Sequence, residues 1–80
     1  MMRFIWDVDD PEGNGEHIAE HGLTIDEVEF VMRHPTSEDE SHLSGRPCLF
    51  GYTPEYLIVI FEWVDEESVY PITAYHVPEP

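Results

Sequence analysis

The chain has 80 residues, with eighteen acidic side chains set against three arginines and no lysine, for a net charge of −15. A chain of this length forms one domain that buries only about 60% of its unfolded surface, and its four phenylalanines, four tyrosines and two tryptophans argue against disorder. The charge disfavours direct contact with a phosphate backbone and favours a basic protein partner, a cation or plain solubility.

Other exclusions follow from the order of residues. No apolar run approaches the ~20 residues of a membrane span, and Met1-Met2-Arg3-Phe4-Ile5-Trp6 runs into acidic residues without a signal-peptide pattern, so a cytoplasmic location is expected. The single cysteine, Cys48, leaves no internal disulfide and reads as a small buried hydrophobe.

Arg3–Trp6 is a short strand candidate closed by the acidic turn ending at Pro11. Glu12-Gly13-Asn14-Gly15 is poor helix material; Glu16–His21 is better and predicts a first helix of about two turns, stopped by Gly22. The second helix is sharply marked. Thr24 and Glu27 form a capping box, Leu23 and Val28 fall at the staple positions, and Ile25, Val28, Val31 and Met32 follow at helical spacing up to Arg33-His34-Pro35. Thr36–Gly45 is polar and acidic, a loop or weak edge strand.

Three strands are expected after it: Cys48–Thr53, Tyr56–Trp63 and Val69–Val77, an antiparallel meander. The middle one carries an unbroken apolar run from Leu57 to Phe61, as a central strand does when both its faces are covered. The last contains Pro71, which suits an edge or a bulge. The fold class is therefore α+β, β-α-α-(β)-β-β-β, with two helices packed on one face of a small, mainly antiparallel sheet.

If Thr53 and Tyr56 flank the first hairpin turn, Phe50 lies opposite Val59 and Cys48 opposite Phe61. If Trp63 pairs with Val69, Phe61 faces Pro71 and Val59 faces Thr73. One face then holds Cys48, Phe50, Tyr52, Leu57, Val59, Phe61, Trp63, Thr73 and Tyr75, joined by Arg46 if the strand extends that far. The other holds Leu49, Gly51, Ile58, Ile60, Glu62, Tyr70, Ile72, Ala74 and His76. Both are rich in apolar groups, yet two short helices cover one. The other is expected to be an interface, with a homodimer among the arrangements open to it.

No cofactor-binding motif is present. His17 and His21, four apart on the first helix, can take two corners of a metal site, but nothing marks a third ligand, and packing or surface roles are the commoner fate; no metal is assigned. His34, His42 and His76 are scattered. The acidic clusters Asp7–Glu12, Glu38–Glu40 and Asp65–Glu67 lack the spacing of a calcium loop and read as solvated surface.

Phe4-x-Trp6-Asp7, Asn14 and His21-Gly22-Leu23-Thr24-x-x-Glu27 resemble the opening of the BrnT-like toxins of bacterial toxin–antitoxin systems. Phe50-Gly51-x-Thr53, the strand from Leu57 and Ile72-Thr73-Ala74 resemble the sheet half of that family. The resemblance implies a RelE-like fold, ribonuclease activity and neutralisation by an antitoxin. In such a site Arg46 would stabilise charge on the scissile phosphate while Tyr52 or Tyr75 positions the ribose or stacks on a base; packing is the commoner role for both tyrosines.

The departures bear on activity. Glu20 stands where the family tends to place lysine, Tyr52 and Tyr75 where it tends to place arginine, and its C-terminal helix has no counterpart in Val77-Pro78-Glu79-Pro80. Arg46 alone remains of the basic set, so an acidic, non-enzymatic interaction module on the same fold, binding a basic protein or acting as a nucleic-acid mimic, stands beside the ribonuclease reading.

Overall fold

The computed structural model describes residues 2–41 and 44–80; His42, one of the scattered histidines, lies outside them. The elements are β1 (Arg3–Phe4), α1 (Asn14–Glu20), α2 (Ile25–Arg33), β2 (Ser37–Glu40), β3 (Pro47–Tyr52), β4 (Tyr56–Trp63) and β5 (Ser68–His76). They form an α+β domain around one five-stranded sheet of order β1-β5-β4-β3-β2. β1 joins β5 in parallel and every other pairing is antiparallel. The strand expected at the middle of the meander, β4, is at the centre.

Both helices pack on one face, α1 against β5 and α2 against β3 and β4. The core between them holds Ile18, Leu23, Val28 and Val31 from the helical half, and Leu49, Leu57, Val59, Phe61, Val69 and Ala74 from the sheet. Local chemistry sets the helix ends. Gly22, at φ 76°, lets its amide bond to the Ala19 carbonyl and the Leu23 amide to the Ile18 carbonyl, a Schellman stop for α1. At Thr24 the expected box is complete: the Glu27 amide donates to Thr24 Oγ1 at 3.2 Å and the Thr24 amide to Glu27 Oε1 at 3.0 Å.

α1 begins at Asn14, two residues before the expected start, because that side chain has a tertiary task. Asn14 is fully buried, donates from Nδ2 to the Ile5 carbonyl at 2.9 Å and accepts from the Asp7 amide at 2.8 Å. It thereby pairs backbone groups left open by the loop after β1. Gly13 is required by the same contact, since a Cβ there would lie 2.6 Å from Asp7 Cβ. On the other side of the loop, Trp6 Nε1 donates to Glu29 Oε2 at 2.8 Å. Glu29 in turn holds Arg33 at 3.3 Å, and that guanidinium sits 4.8 Å from the Phe4 ring centroid. Phe4, Trp6, Asp7 and Asn14 thus fasten the first strand and its loop to the helices.

The sheet register corrects the expected faces in two places. β3 and β4 are joined through Thr53-Pro54-Glu55, with Tyr52 opposite Tyr56, Phe50 opposite Ile58 and Cys48 opposite Ile60. The loop is one residue longer than expected, and a one-residue slip moves every β3 side chain to the other face relative to β4. Trp63 does pair with Val69 and Phe61 with Pro71, but the register then shifts, so Ile60 meets Thr73 and Val59 meets Ala74. The extra residue on β5 is Ile72, next to buried Pro71, which has no amide to give the ladder. The helix face therefore combines Leu49 and Gly51 with Leu57, Val59, Phe61 and Ala74. Gly51 meets α2 closely: a Cβ there would lie 3.1 Å from Val31 Cγ1.

Candidate functional site

The face away from the helices carries Phe50, Ile58, Ile60, Thr73 and Tyr75, all only partly buried. The register that put Phe50 and Tyr75 with the core positions of β4 would have buried Tyr75; in the structure its neighbour on β4 is Ile58, on the uncovered side. Phe50, Ile58, Ile60 and Tyr75 line a shallow hollow of ≈ 230 Å³ whose acidic wall is Asp39 and Glu40 of β2. Towards the turn, Tyr56 stacks on Phe50 with ring centroids 5.7 Å apart and meets Tyr52 at 4.8 Å.

Arg46, Tyr52 and Tyr75 share this uncovered face but are not gathered on it. Arg46 precedes β3 and Tyr52 ends it, about 20 Å apart along one strand. Tyr75 is level with Phe50, two strands away from β3. No single scissile bond lies within hydrogen-bond reach of all three in this arrangement. Arg46 is also engaged: its Nε donates to Glu62 Oε1 at 2.7 Å across the β3–β4 ladder. Glu62 escaped the sequence reading because its proximity depends on the hairpin register. Tyr52 is held above its ordinary pKa of 10.0 by partial desolvation, the Glu79 carboxylate and Tyr56, which keeps its phenol neutral.

The other candidates have local partners. His17 Nδ1 lies 3.4 Å from the Ile72 carbonyl, and the His21 ring is 5.8 Å from Tyr75. Among the described residues no three His, Cys, Asp or Glu side chains converge. Cys48 is buried, and desolvation together with the Asp39 charge raises its pKa, making it a poor thiolate.

The acidic clusters divide by role. Asp7 accepts from the Tyr70 hydroxyl at 2.9 Å, Asp10 from the Glu12 amide at 2.9 Å, and Asp65 from the Glu67 and Ser68 amides. Asp10 and Asp65 tie their own loops, and Asp7 ties its loop to β5. Glu38-Asp39-Glu40, in contrast, belongs to β2, the exposed edge strand. Charged edges block pairing with neutral strands and with like-charged copies.

No helix among the described residues is long and apolar enough to cross a membrane. No family model matches the chain, and neither a curated protein nor a solved structure is significantly similar to it.

Proposed function

We propose that this domain is an acidic interaction module of the toxin–antitoxin type, whose uncovered sheet face receives a basic protein partner such as an antitoxin. The observation that carries the reading is the state of Arg46: it is bound to Glu62, and Asp39 and Glu40 wall the apolar hollow of that face. Such a surface repels a phosphate backbone and attracts lysine and arginine around an apolar centre. A homodimer through this face would set two acidic copies against each other.

A degenerate ribonuclease is the second reading. It is favoured by the presence of Arg46, Tyr52 and Tyr75 on the one uncovered face, where RNA has access. The test of the first reading uses the product of a reading frame adjacent to this gene, provided that product is a basic protein. It should form a complex of fixed stoichiometry that Ile58→Glu, a change at a partly buried position, abolishes. Undiminished binding by Ile58→Glu would remove the sheet face from the interface.

A further inference from the structure

The two short helices leave a corner of the sheet bare on their own side as well. α1 lies over β5, and α2 ends at Arg33, so beyond Met32 of its last turn the sheet corner around Pro47 and Trp63 stays open. A hollow of ≈ 440 Å³ opens there, its apolar lining including Met2, Leu49, Phe61 and Trp63 and its β2 side formed by Glu38 and Asp39. Phe61 is buried at 4% exposure, while Trp63, set edge-on to it with centroids 5.9 Å apart, is 54% exposed.

A tryptophan half in water at the lip of an apolar hollow gains much by further burial, and tryptophan is prominent among residues that dominate interface energetics. The hollow falls in the size range of sites that enclose a small ligand or large side chains. Its lining includes two carboxylates and no cation. An apolar group carrying negative charge is therefore refused, and one flanked by positive charge is favoured.

We infer that this hollow is the docking point for one large apolar side chain, flanked by lysine or arginine, on an extended segment of a basic partner protein; the inference rests on the interaction-module reading. An extended segment fits because β2 is the sheet edge and all four of its residues are exposed. A strand running beside it sends alternate side chains to the helix side, where the hollow lies. Within this chain each arginine already has a carboxylate neighbour, Arg3 with Glu67, Arg33 with Glu29 and Arg46 with Glu62.

The test uses two short synthetic peptides rich in lysine and arginine, one with a central leucine and the other with alanine in its place. Each is titrated into the labelled protein at low salt, with the Trp63 indole N–H and the Met2 methyl as reporters. The Trp6 indole, engaged by Glu29, serves as internal reference. The leucine peptide should bind about tenfold or more tightly than the alanine peptide and shift Trp63 and Met2 selectively. Trp63→Ala should reduce the two peptides to equal affinity. The paired change Glu38→Gln with Asp39→Asn, which leaves the apolar lining intact, should weaken the leucine peptide several-fold. Equal affinity of the two peptides for the unmodified protein, or shifts spread over Asp7–Glu12 with Trp63 unmoved, overturns the inference. RNA cleavage by the domain together with leucine-selective binding at Trp63 would refute the module reading and leave this site standing.

Discussion

Arg46 Nε donates to Glu62 Oε1 at 2.7 Å, and both side chains are roughly half exposed. The pair neutralises the Arg46 guanidinium on the uncovered face, but its solvent exposure limits its stabilising effect. A double-mutant cycle with Arg46→Ala and Glu62→Ala, followed by urea denaturation, should give a coupling below about 1 kcal/mol. A much larger coupling would mean that the pair anchors the hairpin.

The capping box at Thr24 satisfies two helix donors at once. Thr24→Ala should lower stability by about 1 kcal/mol, seen as a lower urea midpoint with unchanged slope. An unmoved midpoint would show that α2 gains nothing from the box.

Asn14 is the larger stake, because its removal strands the Ile5 carbonyl and the Asp7 amide together. Asn14→Ala should cost roughly 1–3 kcal/mol, and Gly13→Ala a similar amount through collision with Asp7. Equilibrium denaturation of each variant checks the pair; wild-type stability in both would contradict the clamp.

Electrostatics act in two ranges. With a net charge of −15, long-range repulsion dominates at neutral pH, so raising the salt to about 0.3 M should raise the melting temperature. Locally, Asp65 is held below its ordinary pKa of 3.8, by the Glu67 amide first, then by the Ser68 hydroxyl and amide and the Arg3 charge, against partial desolvation. A depressed carboxyl stabilises the fold above its unfolded pKa and loses that contribution as pH falls through the folded value. The stability gap between wild type and Asp65→Ala should therefore be full at neutral pH and shrink below about pH 3.8. A gap that widened on acidification would contradict this role for the turn.

Much of this fold can be read from local chemistry. The box at Thr24, the stop at Gly22 and the run from Leu57 to Phe61 act over a few residues, and the structure carries all three. Trp63 opposite Val69 and Phe61 opposite Pro71 were also accessible from the turn between them. What failed was long-range bookkeeping of alternation. One additional residue in the Tyr52–Tyr56 loop inverted β3, and the extra Ile72 on β5 shifted everything beyond it. Both features decide which residues share a face, so the uncovered surface and the Arg46–Glu62 contact are legible only in the folded sheet. Asn14 escapes local chemistry for a different reason: its helix start is set by the loop it clamps, which no local propensity records.

RNA integrity in cells expressing the domain tests the central claim most directly. Wild type, Arg46→Ala and Glu62→Gln, the last of which releases Arg46 from its carboxylate, are expressed to equal levels while growth and transcript length are followed. A non-enzymatic module predicts intact transcripts in all three. Cleavage by wild type that Arg46→Ala lowers on the order of a hundredfold or more, the usual effect of removing a charged transition-state contact, would contradict it.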